Sequence, residues 1–409
     1  MSDIAILPIR ANDGFALKLE RNFRGLKAQN IKRIEVINRR FSDGEYNPVI
    51  IEENVEEGKP EKKCKHKKVY LVWTITNQIT PTENFARVLL LADAAYREGA
   101  EEVNLIIAYH YFNRQDIDPT LIYSLQSEKD DEKKEKQIDK LMKMIGQPFS
   151  LKVLINHFYH AGIKKVITIE DHSDRTHNLY EESYNSKDVY YNLDPTPVYA
   201  HYILNILKED IDIGKQGENL ILLGPDKGSW EMLEKIYNLL GLKNVKKVFF
   251  DKSRIKENDP EQIKSVIKSE MSDVPDFKDK IIIGRDDIGD TLGTFTKSLE
   301  LVYGQKPKYI FGFISHLILP YPEAYSRIYR SKLNLVGLNT HPNLIYQSEI
   351  GIPQITILDI TKYFAEAIIK CVEKSKPVEE VFRFTKDNLD EAGLLYKIQK
   401  KGELERFSG

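Results

Sequence analysis

The chain has 409 residues, and its 60 Lys and Arg nearly balance its 62 Asp and Glu, which leaves a formal net charge of -2. This balance excludes an overall basic surface for nucleic acid, and two cysteines are too few for a disulfide framework. No apolar run approaches a membrane span and the N-terminus lacks a signal-peptide pattern, so we expect a cytoplasmic protein without membrane or nucleic-acid partners.

Short β-type apolar runs alternate with longer segments of helical period, which is typical of parallel sheets covered by helices. The predicted strands, in chain order, are Arg33–Ile37, Lys68–Trp73, Val103–Ala108, Lys165–Ile169, Asn219–Leu223, Lys246–Phe250, Lys280–Ile283, Tyr309–Ile314 and Gln354–Leu358. The predicted helices are Glu83–Glu98, Leu151–Ala161, Val198–Lys208, Gly228–Leu240 and Phe295–Val302. The fold class is therefore predicted to be α/β, with two tandem domains at 1–193 and 194–380 that meet near Asp194-Pro195-Thr196-Pro197.

Charged segments interrupt this alternation. Residues 54–68 and 117–146 read as insertions, and within the second the stretch Gln126–Ile145 predicts a charged surface helix. A last strand is predicted at Val381–Phe384, returning to the first domain, and a charged tail follows over residues 385–409.

The most informative motif is the run from Lys280 to Thr294, in which an apolar strand is followed by Asp286-Asp287 and then by Asp290-Thr291-Leu292-Gly293-Thr294. A strand edge, a tight turn and a helix N-terminus in that order can bind phosphate through backbone N–H groups and hydroxyls. Paired carboxylates suit ribose hydroxyls. An acidic turn without a ligand is the alternative, and the added Thr and Gly residues favour a sugar-phosphate site.

Other predicted strand ends also carry polar groups. These are Arg39–Glu45, Tyr109–Asp116, Glu170-Asp171-His172, Gly224–Ser229 and Asp251-Lys252-Ser253-Arg254. Each alone is compatible with an ordinary solvated turn. Because the carboxyl ends of parallel strands meet on one side of a sheet, their co-occurrence favours one shared site.

The order of these motifs resembles ribose-phosphate pyrophosphokinase, the synthetase of phosphoribosyl pyrophosphate, from about Arg39 to Phe384. The resemblance implies two phosphoribosyltransferase-like domains in a homo-oligomer, a dimer or a hexamer. It also implies transfer of the diphosphoryl group of Mg-ATP to O1 of ribose 5-phosphate, giving phosphoribosyl pyrophosphate and AMP for nucleotide biosynthesis.

The same resemblance implies roles for individual residues. ATP would be bound by Phe41, Asp43 and Glu45 across a subunit boundary and by Arg114, Gln115 and His172. The cofactor Mg²⁺ would be held by His172, Asp226 and Glu170, and Lys252 and Arg254 would be catalytic. Ribose 5-phosphate would be bound by Asp286, Asp287, Asp290, Thr291, Leu292, Gly293 and Thr294.

The chain also departs from the family. Glu170 stands where Asp is usual, and Arg285 stands where an apolar residue is usual, so Arg285 is expected to neutralise a carboxylate. A basic loop after Asp116 is replaced by the insertion at 117–146, which puts regulation by phosphate and ADP in doubt. Two other functions stay open: a phosphoribosyltransferase that uses the same loop, and a catalytically silent regulatory homologue.

Overall fold

The computed structural model describes residues 3–10, 13–26, 30–51, 62–74, 79–125, 138, 141–224, 227–250, 267–269, 275–320, 322–341 and 352–406. They form one parallel and one mostly parallel sheet, with helices on their faces, and one separate hairpin. The predicted α/β fold class is confirmed. Among these residues every helix is too short or too polar to cross a membrane.

The first sheet is parallel throughout, in the strand order β2-β1-β5-β6-β7-β8. Its strands are β1 (Asp3–Pro8), β2 (Ile31–Arg33), β5 (Lys67–Trp73), β6 (Glu102–Ile107), β7 (Ile163–Ile169) and β8 (Tyr190–Leu193). The helices of this half are α1 (Gly14–Gly25), α2 (Pro81–Arg97), α3 (Leu121–Leu125), α4 (Ser150–His160) and α5 (Arg175–Tyr184). Helix α2 begins at Pro81, two residues before its predicted start at Glu83, because the Thr80 hydroxyl accepts the N–H of Glu83 at 3.1 Å and Pro81 occupies the first turn.

The second sheet has the order β11-β10-β9-β12-β13-β14-β15-β16, and its outermost strands β11 and β16 run antiparallel to their neighbours. Its strands are β9 (Leu220–Gly224), β10 (Lys246–Phe250), β11 (Ile267–Ser269), β12 (Ile281–Gly289), β13 (Tyr309–Leu317), β14 (Leu333–Leu338), β15 (Ile355–Asp359) and β16 (Lys397–Lys400). The helices are α6 (Thr196–His201), which continues as a π-helix over Tyr202–Leu207 and a helical turn at Lys208–Asp210, then α7 (Lys227–Leu240), α8 (Gly293–Tyr303), α9 (Pro322–Ser331), α10 (Thr361–Lys370) and α11 (Val378–Val381).

The cores of the two sheets are continuous. One buried cluster contains Ile6 of β1 and Ile169 of β7, and it extends through Tyr199 of α6 to Phe313 of β13. Burial of this apolar surface on both sides stabilises the contact between the sheets. The carboxyl ends of β7 and β12 are thereby held close together.

The hairpin is made of β3 (Glu35–Arg40) and β4 (Tyr46–Ile51), which pair antiparallel. The Arg87 guanidinium of α2 lies 4.5 Å from the centre of the Tyr46 ring, and Arg40 forms an ion pair with Glu83 of the same helix. These contacts fix the hairpin on α2, while its tip at Phe41 faces solvent.

Several predicted elements need correction. The strand predicted at Val381–Phe384 is wrong, since Val378–Val381 is helical and Phe382 packs on Tyr363 with ring centres 4.9 Å apart. Pro377 is the residue immediately before this helix, with φ of -58° and ψ of 142°. The tail is not beyond the last strand, because β16 pairs with β15 at the edge of the second sheet. Most of the helix predicted over Gln126–Ile145 lies outside the described residues.

Candidate phosphoribosyl site at the meeting of two sheets

Strand β12 reaches further than its neighbour β9. The two pair as far as Gly284 with Leu223, whereas β12 stays paired with β13 as far as Gly289 with Leu317. Asp286 and Asp287 therefore lie inside β12, beyond its pairing with β9, and not after a strand ending at Ile283 as predicted. This overhang leaves one edge of the acidic segment open, as a ligand site at the carboxyl end of a parallel sheet requires.

The loop after β12 leads directly into α8. Leu292 precedes the helix in a left-handed conformation, with φ of 58°, and its side chain is buried in the core. The loop is held by Arg327 of α9, whose Nη1 donates to the carbonyl oxygen of Thr291 at 2.6 Å. The N–H of Gly293 makes a long hydrogen bond of 3.4 Å to Oγ1 of Thr291. The helix has 11 residues, so its N-terminal N–H groups and its dipole can bind an anion at this end.

His172 connects the two sheets at this point. Its Nδ1 lies 2.5 Å from Oδ2 of Asp287, and its side chain is 42% exposed. The hydrogen bond to Asp287 raises the pKa of His172 above its ordinary value. Burial alone would raise the pKa of the Asp287 carboxyl, but the hydrogen bond and charge of His172 outweigh burial and hold that pKa well below its usual range. The two shifts have one cause, since each group favours the charged form of the other.

Arg114 makes the second contact across the site. Its Nη1 donates to Oδ2 of Asp290 at 3.0 Å, and both side chains are partly exposed. The turn that carries Arg114 is closed by the N–H of Gln115, which donates to the carbonyl oxygen of Phe112 at 2.9 Å. Gln115 is exposed beside it. A guanidinium beside the phosphate loop is placed to bind phosphate oxygens.

Asp171 stabilises the turn after β7 that carries His172. Its carboxylate accepts Nδ2 of Asn113 at 3.0 Å and the hydroxyl of Tyr190 at 2.7 Å. Both carboxylate oxygens are thus engaged within the first domain. We infer that Asp171 fixes the turn that presents His172.

Glu170 is placed differently from its expected metal role. Its Oε1 forms an ion pair with Nη2 of Arg285, which has no exposed surface. Its Oε2 is buried and makes no hydrogen bond within the described part of the chain. Arg285 thus forms its ion pair with Glu170 of the other sheet, while the charge of Asp287 acts on it more weakly.

Phe41, Asp43 and Glu45 are not brought to this point. Phe41 is 55% exposed at the hairpin tip, where Oδ1 of Asp43 accepts the N–H of Glu45 at 3.0 Å. Asp226, Lys252 and Arg254 lie outside the described residues.

Two residues at the site were not predicted. Arg327 holds the phosphate loop, and its helical sequence carries no motif. His316 is buried at the end of β13, and its Nε2 lies 3.1 Å from the carbonyl oxygens of both Ile169 and Glu170. Burial lowers the pKa of His316 to about 4. Ser315-His316 lies near the carboxyl end of β13, next to β12. The predicted strand stops at Ile314, so His316 falls outside it. With the strand extended to Leu317, the convergence of carboxyl strand ends would identify His316 as a site residue.

No three His, Cys, Asp or Glu side chains converge into a metal-binding group over the described ranges. Magnesium commonly needs only one or two protein ligands when substrate phosphates supply the others. His172, half exposed beside Asp287, fits that requirement, whereas the buried Glu170 does not.

Comparisons with known proteins match both halves of the chain. Residues 4–127 match the family described as "N-terminal domain of ribose phosphate pyrophosphokinase", and residues 198–333 match "Phosphoribosyl transferase domain". The ribose-phosphate pyrophosphokinase of Campylobacter jejuni is 29% identical over 348 residues, covering 84% of this chain and 89% of the relative. That of Fusobacterium nucleatum is 24% identical over 343 residues, covering 84% and 88%.

Among solved structures, the phosphoribosylpyrophosphate synthetase from Mycobacterium smegmatis matches with a TM-score of 0.64 and 17% identity, over 91% of this chain and 99% of that one. At this identity the match concerns the fold. The two family matches together span more than half of the chain, in the order that the two sheets follow. The chain belongs to the ribose-phosphate pyrophosphokinase family of transferases.

Proposed function

We propose that the protein transfers the diphosphoryl group of Mg-ATP to O1 of ribose 5-phosphate and so makes phosphoribosyl pyrophosphate and AMP. The observation that carries the proposal is the pair of contacts His172–Asp287 and Arg114–Asp290, at 2.5 and 3.0 Å. Each joins a group of the first sheet, suited to ATP phosphates, to a carboxylate on the sugar-phosphate side. A reaction between two phosphorylated substrates requires that the groups binding each substrate hold the reacting atoms in the correct relative orientation.

The sugar phosphate would lie along the end of β12. Asp286 and Asp287 would accept the ribose hydroxyls, and Asp290, Thr291, Leu292, Gly293 and Thr294 would surround the 5-phosphate through backbone N–H groups and hydroxyls. This fixes O1 toward the first sheet. Binding would release His172 and Arg114 from their carboxylate partners.

On the ATP side, Arg114, Gln115 and His172 would bind phosphate and neighbouring polar groups. Release of His172 from Asp287 would remove the hydrogen bond that raises its pKa, so that a neutral imidazole is available to Mg²⁺. Lys252 and Arg254 would approach the transferring group and stabilise its charge in the transition state. The oxygen O1 forms a bond to the β-phosphorus as the bond from that phosphorus to the α-phosphate oxygen breaks, and AMP leaves.

Mg²⁺ would arrive with ATP and be held by His172 and Asp226 in addition to phosphate oxygens. When bound, the ion supplies positive charge that neutralises the phosphates.

We also propose that the protein acts as a homo-oligomer, in which Phe41, Asp43 and Glu45 complete the adenine site of a second copy. The exposed aromatic tip of a hairpin that is fixed on α2 supports this role. Light scattering tests the assembly, and a monomer at assay concentration would contradict it.

Two other functions are compatible with the same loop. A phosphoribosyltransferase would use Asp286, Asp287 and residues 290–294 without the contacts from Arg114 and His172. A silent homologue would bind substrates without turnover.

The test is to incubate the folded protein with ATP, Mg²⁺ and ribose 5-phosphate, measure AMP by chromatography and identify the product by phosphorus NMR. Asp287→Asn should lose activity, while Asp279→Asn at the exposed amino end of the same strand serves as its matched control. Absence of AMP from folded protein would reject the proposal. Consumption of phosphoribosyl pyrophosphate with a nucleobase would favour the transferase.

A further inference from the structure

Arg285 is a fully buried cation at the boundary between the two sheets. Its Nη1 donates to the carbonyl oxygen of Phe313 at 3.0 Å, and its Nη2 donates to Oγ of Ser315 at 3.3 Å. The guanidinium carbon lies 4.7 Å from the centre of the Tyr199 ring. A buried charge held by hydrogen bonds and a ring has little freedom to move.

The partner of this cation comes from the other sheet. Glu170 at the end of β7 accepts Nη2 of Arg285 through Oε1. Glu170 also has a left-handed backbone, with φ of 46°, which is unfavourable for this residue type and persists only where surroundings fix it. The ion pair with Arg285 is one of the contacts that hold Glu170 in this conformation.

A second contact holds the same turn. His316 of β13 reaches the carbonyl oxygens of Ile169 and Glu170 with Nε2, at 3.1 Å each. Its other ring nitrogen, Nδ1, lies 3.0 Å from Oγ1 of Thr340 on the second domain. The turn after β7 is therefore attached to the second sheet through both its side chain and its backbone.

Both members of the ion pair lie within two positions of residues of the proposed site. Arg285 comes immediately before Asp286-Asp287, and Glu170 comes two positions before His172. A change in the distance between Arg285 and Glu170 therefore changes the distance between Asp287 and His172. Arg285 has no exposed surface and the Glu170 side chain is 10% exposed, so neither is placed to bind substrate directly.

We propose that Glu170 and Arg285 are positioning residues that set the alignment of His172 with Asp287 across the two domains, and that Glu170 serves Arg285 and not the metal ion. This inference rests on the proposed function for its kinetic consequences. A misplacement of about 1 Å in an active site can lower turnover about 100-fold.

The experiment compares Glu170→Gln, Arg285→Lys and Arg285→Met with wild type, and joins Glu170→Gln to Arg285→Met in a double mutant. We expect kcat to fall by about 10- to 100-fold in the single variants, with Mg²⁺ half-saturation unchanged in Glu170→Gln. The double mutant should lose less than the product of the two single losses, because both changes break one interaction. Arg285→Lys should retain more activity than Arg285→Met, and it replaces Arg285→Met should the latter fail to fold.

Lys68→Met is the matched control. Lys68 Nζ lies 2.7 Å from Oε2 of Glu373, in an ion pair that also joins distant parts of the chain but is remote from the site. Its loss should lower stability without changing kcat. This separates a positioning role from a general loss of stability.

Hydrogen exchange without substrate gives a readout that does not depend on activity. Exchange should increase at both 169–172 and 286–289 in Glu170→Gln and Arg285→Lys, and at neither segment in Lys68→Met. If wild type makes no AMP, the proposed function fails while exchange still decides the positioning role. A raised Mg²⁺ half-saturation in Glu170→Gln, or unchanged exchange and normal kcat in the Arg285 variants, would overturn the inference.

Discussion

His172 and Asp287 stand 115 positions apart in the chain, yet Nδ1 of one lies 2.5 Å from Oδ2 of the other. The contact joins the turn after β7 to the overhanging part of β12. It therefore places a cationic group of one sheet directly on the carboxylate proposed to bind ribose in the other.

Asp287→Asn should weaken the use of ribose 5-phosphate. The amide keeps the shape of the side chain but loses its charge, and a hydrogen bond to a charged group contributes about 1.5–3 kcal/mol. We expect kcat/KM for ribose 5-phosphate to fall by about 10- to 150-fold. Steady-state rates of AMP formation measure this change, and an equal fall in Asp279→Asn would attribute it to altered folding.

Lys252→Ala and Arg254→Ala should lower kcat by about 100-fold or more, by analogy with other groups that stabilise charge in a transition state. KM should change much less, because these cations are proposed to act on the transferring group and not on bound ground-state substrate. Rapid-quench and steady-state kinetics test this. Near-normal kcat in both variants would show that this segment is not the catalytic loop.

Local pattern predicted much of this fold. The apolar runs at Lys68–Trp73 and Lys246–Phe250 are strands within one residue of their predicted limits, since buried parallel strands leave a continuous apolar run. The run at Val381–Phe384 is also rich in Val and Phe, but Arg383 interrupts it and Phe382 packs on Tyr363.

The site was predicted less completely. The residue types at strand ends indicated a common location, but the contacts His172–Asp287 and Glu170–Arg285 depend on how two sheets meet. The spacing of residues along the chain does not predict how the two sheets pack against each other. From the sequence, Arg285 is recognised only as a neighbour of the Asp pair. Its burial and its ion pair with Glu170 are set by tertiary structure.

Leu292 provides a test of backbone strain in the phosphate loop. Its φ of 58° is unfavourable for residues with a Cβ atom by about 1–2 kcal/mol, while its buried side chain stabilises the core. Leu292→Ala and Leu292→Gly both remove that side chain, and the glycine also removes the strain.

We therefore expect both variants to be less stable than wild type, with Leu292→Gly the more stable of the two by about 1 kcal/mol. This order is opposite to the usual preference for alanine. Urea unfolding measures the difference, and a more stable alanine variant would argue against the left-handed conformation.

His341 predicts a loss of stability in acid. Burial, with His316 and Arg10 nearby, lowers the pKa of His341 to about 4, whereas an unfolded histidine has a pKa of about 6.5. Between these values the unfolded chain binds the proton and the folded chain does not, so stability is complete above about pH 6.5 and falls as the pH drops toward 4.

For this one group the free energy of unfolding should fall by about 2 kcal/mol between pH 7.5 and pH 5. Comparing wild type with His341→Gln at both pH values isolates the effect, because the glutamine does not titrate. His160→Gln, at the exposed end of α4, controls for the loss of an imidazole. A difference between wild type and His341→Gln that is independent of pH would contradict the prediction.

The continuous core has a consequence for how the chain unfolds. Since Ile6, Ile169, Tyr199 and Phe313 belong to one buried cluster, separating the sheets would expose apolar surface on both. Such coupling makes the two halves a single cooperative unit, with one calorimetric transition and no stable half-molecule. Cleavage near Asp194 should then yield fragments that remain folded only while they stay together.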